Sequence, residues 1–210
     1  MAQINRIGYG QVELNFVSAG RIGGVYASRP YEGDKTILEQ GMFLKYDPAT
    51  NKCNTDGKGE WYMVYNEEDH YDEREMNHKD YAMKKSDFID GEMYPRLLKI
   101  STGDIFTTNT FGAYNPAYAD AKATYPGNYG DVKNANTTLK MAKATTVTGV
   151  KGGNEGIALV QGDEVKVGKT DGYLVKSDNA EADADGPVFV VSRVYCMADG
   201  QPAVKLQRIK

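Results

Sequence analysis

Residues 187–210 read PVFVVSRVYCMADGQPAVKLQRIK, and they decide how the rest of the chain is read. Two β-rich runs, Val188–Met197 and Ala203–Ile209, flank a short polar connection containing Asp199-Gly200. Glycine after aspartate accepts the positive φ that a tight link between twisted strands demands, so the pair predicts a hairpin. In the first arm Val190, Ser192, Val194 and Cys196 share one parity. In the second, Val204, Leu206 and Ile209 stand against Lys205, Gln207 and Lys210. Each arm is therefore expected to put one face on a core and one in water, with the last strand held inside a sheet.

Upstream of the hairpin the same texture continues. Leu139–Val150, Glu155–Val160, Glu164–Val167 and Gly172–Val175 are strand candidates, separated by turns such as Gln161-Gly162-Asp163 and by the loop Ser177–Pro187. Strands this short and closely spaced predict that 139–210 forms a small β-barrel, closed or nearly so, because closure removes aggregation-prone edges.

Residues 113–138 hold Tyr114, Tyr118, Tyr125 and Tyr129 among prolines and glycines with almost no aliphatic side chains. That composition predicts a long Tyr-rich loop suited to contact, since a tyrosine ring buries much area at small entropic cost. Residues 88–112 return to β, with Leu97–Ile100 and Ile105–Thr110 joined through Ser101–Asp104, and Thr107, Thr108 and Thr110 are expected on an exposed face. Residues 67–87, EEDHYDEREMNHKDYAMKKSD, form a charged insertion read as a solvated surface. His70 and His78 lie there among acids, but their spacing matches no metal template.

Residues 31–66 carry strand candidates Ile37–Leu38, Met42–Tyr46 and Trp61–Tyr65 in a small meander. Between them, Asp47-Pro48-Ala49-Thr50-Asn51 is a turn with asparagine in the left-handed position. In residues 1–30, Val12, Leu14 and Phe16 alternate with Gln11, Glu13 and Asn15, whereas Gly20, Gly23 and Gly24 discourage a stable helix. This opening is either an ordinary strand of the chain's own sheet or an extended arm that adds a strand to a neighbour. The whole is mainly β: an N-terminal strand or arm, a β-rich part over 31–112, the loop, and a C-terminal barrel or sandwich.

The composition narrows the function. A formal charge of −4 argues against nucleic acid, which requires a concentrated basic surface. No apolar run reaches the roughly 18 residues that cross a bilayer, and MAQINRIGYG lacks the plan of a secretory signal, so synthesis in the cytoplasm is expected. Cys53 and Cys196 lie far apart without a metal-binding spacing and read as reduced thiols. Glu181-Ala-Asp183-Ala-Asp185-Gly186 begins like a calcium loop, but the twelfth position is Ser192 where a bidentate acid is needed. There is no GxSxG and no phosphate-binding loop, so no catalytic residue, cofactor or metal is assigned. The glycine and tyrosine content, 23 and 15 residues against one tryptophan, fits short strands and contact surfaces.

Three stretches, GMFLKYDPATNKC at 41–53, ISTGDIFTTNTF at 100–111 and FVVSRVYCMADGQPAVKLQRIK at 189–210, carry a resemblance. In style they resemble the β-rich structural proteins of tailed-bacteriophage virions, especially capsid decoration (cement) and minor capsid proteins. The resemblance implies a non-enzymatic protein, present in multiple copies or as an oligomer, that binds the major capsid protein or another virion component. Its location would be the virion. The candidate contact residues are Tyr9, Phe16 and Tyr26 of the opening segment and Tyr114, Tyr118, Tyr125 and Tyr129 of the loop. The alternative is a carbohydrate- or receptor-binding β module, with Trp61, Tyr62, Tyr118 and Tyr125 as stacking candidates.

Overall fold

A computed structural model of the chain describes residues 9–27, 29–66, 81–111, 147–150, 157–196 and 202–210. In chain order the first strands are β1 (Val12–Phe16), β2 (Val25–Tyr26), β3 (Ile37–Glu39), β4 (Phe43–Asp47), β5 (Lys52–Asn54) and β6 (Glu60–Val64). There follow β7 (Ala82–Lys84), β8 (Leu97–Leu98), β9 (Ile105–Thr108), β10 (Val147–Val150) and β11 (Ile157–Leu159). The chain closes with β12 (Glu164–Val167), β13 (Leu174–Lys176), β14 (Val188–Cys196) and β15 (Pro202–Arg208). A helical turn, α1 (Ala19–Ile22), follows β1 and ends on Gly23 at φ 69°, and a 3-10 turn at Lys85–Asp87 follows β7.

The largest sheet is antiparallel and six-stranded, in the order β1-β9-β15-β14-β12-β13. The terminal strand β15 is interior to it, between β14 and β9. The hairpin forms, but its alternation differs from the sequence reading. Phe189 and Val191 enter the core, and Val190 and Ser192 do not. The pairing then slips between Val191↔Leu206 and Arg193↔Lys205. Ser192 is the extra residue of this β-bulge, and its hydroxyl donates to the Lys205 carbonyl at 3.1 Å. The bulge shifts the phase by one, which returns Val194 to the core. Val204 and Leu206 are buried as expected, whereas Ile209, beyond the end of β15 and of opposite parity, is exposed. The dipeptide Asp199-Gly200 lies outside the described residues.

The expected barrel does not close. β10 and β11 pair with each other, while β12–β15 extend sideways onto β9 and β1; among the described residues β1 and β13 are the outermost strands of this sheet, and Leu174 of β13 is bridged in parallel by Phe111. The opening strand β1 thus belongs to the chain's own sheet, paired along β9.

A second sheet runs β2-β8-β6-β4-β5 and is buried on both faces. Phe43, Trp61, Met63 and Leu98 face the six-stranded sheet and pack with Phe106, Phe189, Val191 and Leu206. Leu44, Tyr46, Tyr62, Val64 and Leu97 face the other way, onto Leu38 of β3 and Met83 of β7. The two-stranded β3–β7 ribbon is the third layer. Strands covered on both sides need near-continuous hydrophobic runs, and FLKY and WYMV supply them.

A polar seam joins the layers. Thr107, Thr108, Asn109 and Thr110 are fully buried, contrary to the exposed face expected of the three threonines. Their hydroxyls have local acceptors: Thr107 Oγ1 donates to Asn15 Oδ1 at 2.6 Å, Thr108 Oγ1 to the Gln11 carbonyl at 2.7 Å, and Thr110 Oγ1 to the Gln40 carbonyl at 2.7 Å. A buried hydroxyl is tolerated when it is so bonded. Gly41 sits over this seam at φ 80°, where a Cβ would lie 2.8 Å from Thr108 Oγ1, Thr110 Oγ1 and Val12 Cγ2. Nearby, the buried Glu39 carboxylate accepts from the Gly10 N–H at 2.8 Å and from the Tyr173 hydroxyl at 2.7 Å.

Candidate interaction surface

The strand β1 and the helical turn α1 after it carry an exposed apolar group. The residues of β1 turn outward as the strand proceeds, from buried Val12 to exposed Leu14 and Phe16. The cause is a register shift between Glu13 and Phe16 that sets Phe16 opposite Ile105 on the face away from the core residue Phe106. Phe16 remains 57% exposed and Ile22, at the end of α1, 64% exposed. The Arg21 guanidinium lies 5.8 Å from the Phe16 ring centre. The segment between strand and helix is fixed by Asp104, a buried carboxylate that accepts from the Ser18 N–H and hydroxyl, each at 3.1 Å, and from the Ser101 N–H at 2.7 Å. Phe16, Arg21 and Ile22 are thus displayed on a tethered support.

A second group of aromatic side chains lies on the face of the five-stranded sheet turned away from the six-stranded one. Tyr26 of β2 stacks with Tyr46 of β4 at 4.9 Å between ring centres, and both meet Tyr62 of β6 edge-on at 5.2 and 5.9 Å. Burial, reinforced by the neighbouring Tyr26 and Glu60, pushes the Tyr62 phenol up to about 12. Burial likewise raises Tyr31 to about 12 and the Cys53 thiol to about 12. Cys53 is a free, buried cysteine whose thiol lies 3.6 and 3.5 Å from the Arg29 and Pro30 carbonyls. The residues 29–32 follow β5, with the Cys53 N–H donating to Pro30 and the Glu32 N–H to Cys53. Arg29 lies 5.6 Å from the Tyr26 ring centre and 5.3 Å from that of Tyr46.

A cleft of about 300 Å³ opens between the sheets, lined in part by Lys45, Glu60, Trp61, Asp183 and Arg208. The Trp61 indole N–H donates to Asp183 Oδ2 at 2.8 Å, and Lys45 Nζ sits 3.4 Å from the same oxygen and 4.8 Å from the indole ring centre. Partial burial by itself would raise the Asp183 carboxyl. The hydrogen bonds from Trp61 and the Asp185 N–H, together with the Lys45 charge, outweigh it and hold the carboxyl below the ordinary carboxylate range. The acidic loop read as the start of a calcium site therefore serves as a clamp on Trp61. Among the described residues no cluster of three or more metal-ligating side chains forms.

Of the contact residues predicted from the sequence, Phe16 is prominently exposed and Tyr9 and Tyr26 are partly so. Tyr9 lies beneath Lys84 Nζ, 5.2 Å from its ring centre. Tyr114, Tyr118, Tyr125 and Tyr129 fall outside the described residues, as do His70 and His78. Trp61 and Tyr62, read as stacking platforms for a sugar, are instead 6% exposed each and belong to the two cores. Arg21, Ile22 and Arg29 were not signalled by the sequence. An arginine beside a strand end is commonplace, and only the packing gives these residues their rings. Compared with family models, curated proteins and solved structures, the chain finds no match.

Proposed function

We propose that the chain is a non-enzymatic structural protein of a tailed-phage particle that binds the capsid as a decoration or auxiliary protein through protein–protein contacts. The observation that carries this reading is the tethered Phe16–Arg21–Ile22 group at the end of β1 and on the helical turn that follows it. It combines an aromatic and an arginine, the residue types that dominate binding energy at interfaces, with the outermost strand of the six-stranded sheet among the described residues. Repeated copies on a shell add avidity to a contact that is modest in a single copy. The resemblance of residues 41–53, 100–111 and 189–210 to virion proteins supports the same conclusion.

The test is co-sedimentation with capsids assembled without this protein. The wild-type chain is expected in the pellet, and Phe16→Ser with Ile22→Ser is expected largely in the supernatant while retaining its melting temperature. A wild-type chain that stays in solution at every capsid concentration would overturn the reading.

A further inference from the structure

The tyrosine face contains a cation whose hydrogen-bonding capacity is mostly unused. Arg29 has five N–H donors, and among the described residues its side chain forms one hydrogen bond, a long one of 3.5 Å from Nη1 to Asn51 Oδ1. Its Nε is buried without a partner. The nearby acid Glu32 is paired with Lys52 at 2.5 Å. Meanwhile the guanidinium is held in place from several sides. Tyr26 and Tyr46 flank it. Asn51, locked at φ 58° by its turn, presents its Oδ1 to both Arg29 Nη1 and the Tyr46 hydroxyl, which donates at 2.7 Å. A planar fork oriented by aromatic rings and lacking a carboxylate is prepared to accept one, because little side-chain entropy remains to be lost.

We propose that Arg29, framed by Tyr26, Tyr46 and Asn51, is a docking point for a single carboxylate of a partner protein, an aspartate or glutamate side chain or a chain terminus. That the partner is a capsid protein rests on the proposed function; the chemistry of the site does not. A lone guanidinium suits a monoanion, whereas phosphate groups are generally met by clusters of cations.

The experiment follows the Arg29 Nε–H resonance by NMR during titration with acetyl-glutamate amide, with acetyl-glutamine amide and inorganic phosphate as parallel probes. A saturable millimolar shift with the glutamate probe alone, absent in Arg29→Met, is expected. No shift, an equal shift with the glutamine probe, or tighter saturation by phosphate would overturn the assignment. Arg29→Lys, which keeps the charge without the fork, is expected to bind the glutamate probe about tenfold more weakly, and it decides the matter if the methionine variant fails to fold. In co-sedimentation, capsids that retain Arg29→Met as well as wild type would exclude this site from the capsid contact while leaving the proposed function intact. A wild-type chain that ignores capsids would remove that function while the titration still decides the carboxylate site.

Discussion

The two hydrophobic cores on either side of the five-stranded sheet are built from different materials. The one facing the six-stranded sheet is composed chiefly of Phe, Val, Leu and Ile, around a trio of rings. Phe189 lies 5.5 Å from both Phe43 and Phe106, and these two are 6.3 Å apart. The one facing the β3–β7 ribbon contains Tyr31, Tyr46, Tyr62, Met42, Met83, Met93 and Cys53. The difference follows from what covers each face. Two extended sheets present regular surfaces, so branched and ring side chains interlock. A two-stranded ribbon and irregular segments leave uneven gaps near water, where methionine adapts its shape and tyrosine buries its ring while its hydroxyl finds a partner. Tyr46 reaches Asn51, Tyr173 reaches Glu39, and Tyr31 accepts the Lys35 N–H at 3.3 Å. Tyr26 and Arg29 sit on this second, more adaptable side.

The sharpest way to break the contrast is at its rigid pole. Phe189→Ala removes the ring shared by the trio and is expected to cost about 3–5 kcal/mol, read as a lower urea midpoint with an unchanged m-value. Next in size is Gly41→Ala at the seam. The left-handed backbone and the three contacts a Cβ would make predict a loss of roughly 2–3 kcal/mol in the same assay.

A pH titration probes the softer core directly. Tyr31, Tyr62 and Cys53 have folded-state pKa values raised to about 12, above the ordinary values near 10 for tyrosine and 9 for cysteine. Folding therefore favours their neutral forms. Their contribution is complete below pH about 9 and is lost as pH rises toward 12, because only the unfolded chain releases these protons readily. The melting temperature should fall across that interval, and Cys53 should stay unreactive to a thiol reagent until the chain opens. The smallest effect is expected from Met42→Leu, which should cost less than about 1.5 kcal/mol because the site is already shaped around a flexible side chain. A loss as large as that of Phe189→Ala would show that the two cores are equally rigid.

Much of the local structure was legible in the sequence. The strands at 37–38, 42–46 and 61–65 fall within a residue or two of β3, β4 and β6, and Asn51 takes the left-handed position its turn required. The closing hairpin and the interior place of its last arm were equally readable. Two of the misreadings share one origin. Thr107, Thr108 and Thr110 were assigned to water because threonine is half-polar, yet Asn15, Gln11 and Gln40, distant in sequence, supply the acceptors that allow their burial, and the Gln11 N–H donates to the buried Asn109 between them. Trp61 was read as an exposed platform, yet Asp183, more than a hundred residues away, takes its indole proton. Of the candidate contacts, Phe16 was named with the opening segment read as a strand or arm, but its exposure follows from the register shift on β9, which the alternation of 12–16 does not reveal. Arg29 was not named, since its importance comes from two rings on other strands.

Alternation, turn chemistry and glycine placement act over a few residues, and by themselves they determined that this chain is mainly β, where its strands begin and how its turns bend. Which faces are buried, where the bulge at Ser192 resets the phase, and which polar groups enter the interior were decided only by the tertiary structure. Burial depends on neighbours that arrive from elsewhere in the chain, and a polar side chain enters a core when one of those neighbours completes its hydrogen bond.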